Sequence, residues 1–450
     1  ACTTRAAPGR RADVATADMA AINELVAGNV QSPAHRRAWI VAALLAAAGL
    51  GLFLVSVLVL FTRSIGIWGV DIPVAWGVAI ASFVWWIGIG HAGTLISAIL
   101  LLARQPWRRS INRIAETMTL FAIVCAAIYP ILHLGRPEFF YWLIPYPSTY
   151  GVWPQFISPL VWDLFAIATY GAVSLVFWYV GLVPDLATMR DRSTGRRARI
   201  YAVLALGWRG SARHWARHRQ AYVLLAGMAT ALVVSVHTIV SFDFAVAQLP
   251  GWHLTMFPPY FVAGAIFSGF AMVLTLLIPI RAWLGLGAFV TDRHLDACAR
   301  LMLTAGLIVA YGYAAELFFG WYGGDPHDRA LVASHLGGRS APLFWTVVAL
   351  NVGTIQALWS RRVRRSARVL FALSILINVG MWLERYLIVV GSLEHGFLPT
   401  THGRYTATFW DWSTLAGTLG VFAFFMLLFL RFVPTMSMSE LRETAEEGAA

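Results

Sequence analysis

WIVAALLAAAGLGLFLVSVLVLF, residues 39–61, decides the fold class. It is one unbroken apolar run with no charged residue in it. A helix of about 20 such residues crosses the hydrocarbon core of a bilayer. Lipid, not water, is the natural solvent for such a segment.

Working outward, similar runs recur near 75–103, 111–133, 161–183, 221–242, 259–280, 299–320, 343–360, 368–390 and 413–433. Composition agrees: 59% of the 450 residues are hydrophobic and 12% charged, against roughly 25% charged in a soluble domain. The expected fold is all-α, a polytopic integral membrane protein with about ten transmembrane helices. A transmembrane domain over 39–433 would lie between an N-terminal arm, 1–38, and a C-terminal tail, 434–450. No apolar segment precedes Trp39, so no cleavable signal peptide is expected. The acidic stretch from Ser437 to Ala450 is expected to fray.

Charge sets the orientation. The net charge is +12 and all 34 basic residues are arginine. A basic balance of this size suggests nucleic acid in a soluble protein. Here the arginines sit in short connections between apolar runs, so no nucleic-acid partner is expected. Arg104, Arg108 and Arg109 follow the second run, nine arginines lie between Arg190 and Arg219, and Arg361, Arg362, Arg364 and Arg365 follow the eighth. The alternate connections carry only Arg63, Arg136, Arg329, Arg339 and Arg404. The positive-inside rule then puts both termini in the cytoplasm. The chain is expected to be multi-pass in a bacterial inner membrane, with lipids as its immediate partners.

Cys2, Cys125 and Cys298 lie far apart and form no CxxC. No metal site, iron–sulfur cluster or c-type haem is therefore expected in this chain.

Ionisable groups in a bilayer are costly and each suggests a function. His133 ends the third run, Asp163 opens the fourth, and His237 and Asp243 lie at the outer end of the fifth. His91 is mid-span in the second; Glu316, Glu384 and Arg385 lie in the outer halves of the seventh and ninth. A pocket edged by His and Asp and walled by aromatics suits quinol oxidation: each hydroxyl needs a hydrogen-bond partner and then a base. Plainer readings stand beside this one. His133 and Asp163 could cap their helices. Glu116 could pair with the nearby inner arginines, and Glu384 with Arg385. His91 could be a packing histidine, or His91 and His237 could hold a haem.

WWIGIGHAGTLISAILLL (85–102), ILHLGRPEFFYWLIPYP (131–147), PLVWDLFAIATY (159–170) and NVGMWLERYLIVVGSL (378–393) together resemble the NrfD/polysulfide-reductase membrane-subunit family. The likeness runs over about 39–433 and is nearest to the ActC type, the quinol-oxidising component of bacterial alternative complex III. It implies two four-helix bundles, spans two to five and six to nine, with flanking helices. It implies a quinol site near the periplasmic face, with menaquinol ahead of ubiquinol. His133 of HLGRP and Asp163 of WDLF would be the catalytic headgroup ligands, joined by Asp243 of SFDFA. Tyr129, Arg136, His91 and His237 would be further quinol contacts. His91, Glu316, Glu384 and Arg385 would form a proton path. Implied partners are c-type cytochromes, an iron–sulfur/molybdopterin-like periplasmic subunit and a second NrfD-like membrane subunit. Two other classes remain open: a non-catalytic scaffold or proton-conducting subunit of the ActF type, and a secondary transporter.

Overall fold

The computed structural model describes residues 26–28, 36–143 and 157–449. The expected N-terminal arm, and the aromatic connection 144–156, therefore fall largely outside the described residues.

Among the described residues, ten helices are long and apolar enough to cross a membrane. They are α1 (Arg36–Arg63), α2 (Val78–Leu102), α3 (Asn112–His133), α4 (Pro159–Arg192), α5 (Ala212–Ala245), α6 (Phe257–Trp283), α7 (Asp292–Tyr322), α8 (Ala341–Trp359), α9 (Ala367–Leu393) and α10 (Phe409–Phe432). No strand occurs among the described residues.

Helices α2 to α5 pack as one four-helix bundle and α6 to α9 as a second. The bundles meet where α6 lies against α2 and α5 and where α9 lies against α2. This explains why α2 is buried nearly all round while α1 is mostly exposed to lipid. Helices α1 and α10 pair on the outside of the first bundle. Their backbones touch at Gly49 and Gly420, where an added Cβ on Gly49 would stand 2.7 Å from the Gly420 Cα. Small residues permit such close packing where lipid supplies no hydrophobic drive between helices.

Three local expectations change. Helices α4 and α5 outrun the apolar stretches 161–183 and 221–242, because a helix need not stop where the membrane does. Pro184, inside α4, has no N–H, which leaves the Val180 carbonyl without its helical partner; His218 Nε2 of α5 approaches it at 3.0 Å. The eighth span is not one regular helix: Ala349–Gly353 forms a π-helical turn. Finally, the tail does not fray. Met438–Ala449 is a helix whose Met438 and Leu441 are buried. Glu440 accepts from Arg108 (2.6 Å) and Asn112 (2.8 Å), and Asp185 accepts from the Ser439 N–H (3.2 Å). Glu440 and Glu443, in the stretch expected to fray, dock on the arginine-rich end of the bundle.

Candidate functional site

The arginine-poor end of the first bundle gathers the first group of site residues. His133 is the last residue of α3, Asp163 stands near the start of α4, and Asp243 is in the last turn of α5. Proline at the first position of α4 suits its missing N–H. Asp163 and Asp243 are buried and lie close enough to interact with each other. His133 Nδ1 has no hydrogen-bond partner among the described residues, and both oxygens of Asp163 and Oδ1 of Asp243 have none beyond the other carboxyl group.

Tryptophans wall this space. Trp68 stacks on His133 with centroids 6.4 Å apart, and Trp76 meets it edge-on at the same distance. Trp76 also contacts Phe244 at 6.1 Å and stacks on Trp252 at 5.5 Å. One ring thus joins the end of α3 to the end of α5. The loop that carries Trp68 and Trp76 is tied down from α10. Asp411 accepts from the Gly69 N–H (2.8 Å) and the Tyr405 hydroxyl (2.6 Å), and that hydroxyl accepts from the Val78 N–H (3.1 Å). Burial and the bond to Asp411 push the Tyr405 hydroxyl far above the ordinary phenol range, so it remains a donor.

The other expected quinol contacts sit elsewhere. Tyr129 is fully buried and its hydroxyl is bonded to Thr418 of α10 (3.0 Å), which also accepts from Trp86 (3.1 Å). Arg136 is exposed. His91 and His237 meet inside the bundle, Nδ1 hydrogen-bonded to Nδ1, with ring centroids 4.6 Å apart. A bis-histidine haem needs an iron between its two imidazoles; here the rings touch each other.

From His237 the arrangement continues into the second bundle. Phe261 of α6 lies 6.4 Å from His237, and the Arg385 guanidinium lies over the same ring at 4.2 Å. Gly264 makes room for it, since a Cβ there would stand 2.6 Å from Arg385 Nη2. Arg385 pairs with its neighbour Glu384 at 3.1 Å. Glu384 also accepts from the Tyr313 hydroxyl and from Asn351 Nδ2 (3.3 Å), the asparagine in the π turn. A cavity of about 20 Å³ lies beside it, lined by Glu316, Glu384, Tyr260, Tyr313 and His335 among others. That is room for one water. His91, Glu316, Glu384 and Arg385 are therefore not one contiguous set: Phe261 stands between the histidine pair and the arginine.

Glu116 departs from its plain reading. No ion pair of the described residues includes it; it accepts from Ser97 (2.5 Å) and Tyr222 (3.0 Å). The inner cation Arg113 instead pairs with Asp185 at 2.9 Å, both fully buried. Among the described residues no group of three His, Cys, Asp or Glu side chains is placed to hold a metal ion.

Sequence reasoning missed Trp68, Trp76, Trp252 and Tyr313. The tryptophans carried a signal, since they fall in the connections that border the ends of α1, α2 and α5. Tyr313 carried none, being one aromatic in an apolar run.

Residues 69–394 match the family model described as polysulphide reductase, NrfD. The chain is 25% identical to a putative membrane subunit of dimethyl sulfoxide reductase from Halobacterium salinarum, over 80% of this chain and 83% of that protein. It is 21% identical to a subunit of selenate reductase from Mesobacillus selenatarsenatis, over 81% of this chain and 86% of that one.

Proposed function

The chain belongs to the NrfD polysulphide reductase family, and from that premise we propose that it is the quinol-oxidising membrane subunit of an oxidoreductase complex. One observation carries the reading. Four polar atoms, on His133, Asp163 and Asp243, lack partners outside the Asp163–Asp243 pair and stand beside a wall of tryptophans. A quinol supplies what such a space lacks: hydroxyls for the polar atoms and a flat apolar ring for the walls.

Oxidation of a quinol to a quinone releases two protons and two electrons. His133 takes one proton at Nδ1 and the Asp163–Asp243 pair takes the other. Two adjacent carboxyl groups in a low dielectric repel as a double anion, so the pair is suited to hold a proton. The electrons leave to a redox partner docked on the arginine-poor face, which the arginine asymmetry assigns to the periplasm. Glu316 and Glu384, which line the water-sized cavity, and Arg385, which pairs with Glu384, serve proton movement within the second bundle, while His91 with His237 forms a separate polar pair in the first.

The names of the two relatives favour a reductase as the electron acceptor; the partner subunit we propose is an iron–sulfur/molybdopterin-like one. The alternative complex III arrangement would instead bring c-type cytochromes and a second NrfD-like protein.

The test is to purify the tagged protein in mild detergent, identify what accompanies it, and assay menaquinol- and ubiquinol-dependent reduction of its partner. Asp163→Asn and His133→Gln should each abolish quinol turnover while the partners still co-purify. Undiminished turnover in both variants would sink the assignment, and a protein that emerges without any redox partner would favour a transporter.

A further inference from the structure

At the opposite, arginine-rich end lies a cavity of about 610 Å³, between the end of α2, the first turns of α5 and the C-terminal helix. Its polar lining includes Arg104, Arg108, Arg109 and Arg219 against Glu440 and Glu443. Four guanidinium groups thus face two carboxylates. Glu440 is engaged by Arg108 and Asn112, and Glu443 reaches Arg109 (3.6 Å) and Arg219 (4.0 Å). No ion pair of the described residues includes Arg104. Arg108 is 4% exposed, yet its Nη1 has no hydrogen-bond partner. The Arg108 charge is met by Glu440, but a buried N–H group without an acceptor is costly, and in a cavity with four arginines to two carboxylates a further anionic acceptor suits it.

The rest of the lining says what kind of anion. Leu101, Leu102 and Val223 form an apolar flank, and Leu102 and Val223 are exposed to the surroundings of the bundle. The apolar run of α2 stops at Leu102, so the cavity lies at the depth of lipid headgroups. Trp215 is also at its edge, as tryptophan commonly is at that level.

We propose that this cavity is a binding site for an anionic phospholipid, its phosphate held by Arg104, Arg108 and Arg219 and its acyl chains laid along Leu102 and Val223. The C-terminal helix forms one wall and supplies the two carboxylates that limit the excess positive charge. The site then fixes the helix to the bundle through shared arginines, and lipid and tail stabilise the same end of the fold.

The test uses the intact complex, delipidated in detergent and titrated with phosphatidylglycerol, phosphatidylcholine or inorganic phosphate, with binding read by native mass spectrometry. Phosphatidylglycerol should bind in preference to phosphatidylcholine. The double variant Arg104→Gln/Arg219→Gln changes only exposed side chains and should fold. Each arginine near a membrane surface contributes about fivefold to the affinity for an anionic lipid, so losing the pair should weaken it about 25-fold. Arg108→Gln, tested as a second variant, should weaken it further. Equal binding of the two lipids, or an unchanged affinity in the double variant, would overturn the proposal. So would inorganic phosphate displacing phosphatidylglycerol at matching concentration, which would mark a free-phosphate site.

Discussion

The carboxyl group of Asp163, near the start of α4, neighbours that of Asp243, at the end of α5, and no ion pair of the described residues includes either. The contrast with Asp185 is direct: that carboxylate, on the same helix as Asp163, is held by Arg113 at 2.9 Å. One end of α4 presents a neutralised carboxylate and the other an open one. If the open pair acts as a single base, its members are not additive. Asp163→Asn and Asp243→Asn should each lower quinol turnover by about 10²- to 10⁴-fold, the usual contribution of a positioned base. The double variant should cost little more than the worse single one. Steady-state turnover of the three purified variants checks this; strictly multiplicative losses would mean two independent groups.

Trp76 touches His133, Phe244 and Trp252, so it shapes the space without offering a proton acceptor. Trp76→Leu should act on binding. Loss of a ring contact to the proposed quinol, worth about 0.5–1.5 kcal/mol, should raise KM for quinol by about two- to tenfold with kcat largely kept. A fall in kcat at unchanged KM would assign the ring a role in the chemistry instead.

Much of this architecture was legible in the chain. The apolar runs gave ten spans, because a segment such as 39–61 has no other stable environment. His133 and Asp163 came forward because ionisable groups in a bilayer are rare, and the resemblance carried by HLGRP and WDLF implied their role. What stayed hidden depends on helix rotation and on distant partners. Nothing local says that Tyr129 turns to Thr418, that His91 meets His237, or that Asp411 anchors the loop carrying Trp68 and Trp76. The acidic tail misled because its partners, Arg108 and Asn112, lie more than 300 residues earlier in the chain.

The Arg113–Asp185 pair predicts an asymmetric stability effect. Arg113 Nη2 also donates to the Gly181 carbonyl at 2.9 Å, and Asp185 receives the Ser439 N–H. Arg113→Met leaves a buried carboxylate without its cation, a loss of about 3–5 kcal/mol. Arg113→Met/Asp185→Leu removes both charges and should recover much of that loss. Thermal unfolding of the detergent-purified variants reads the difference. Equal destabilisation by the single and double changes would show that the pair's hydrogen bonds, not its charges, dominate.

His335 gives the acid limit of the fold outside the spans. It lies on the short helix Pro326–Leu336, stacked on Phe344 with centroids 5.4 Å apart and 6% exposed. Burial, with a smaller contribution from His395, lowers its pKa from 6.5 to about 4. Between those values the unfolded chain binds a proton that the folded one refuses. The neutral ring therefore favours folding fully above pH 6.5, and this is lost as pH falls towards 4. The shift corresponds to roughly 3 kcal/mol at its fullest, since one pKa unit is about 1.4 kcal/mol. His335→Phe keeps a ring against Phe344 and cannot titrate. It should flatten the decline in unfolding temperature between pH 6.5 and 4, with stability near pH 7 little changed. A variant whose decline over that range matches the parent protein would overturn the assignment of the acid sensitivity to His335.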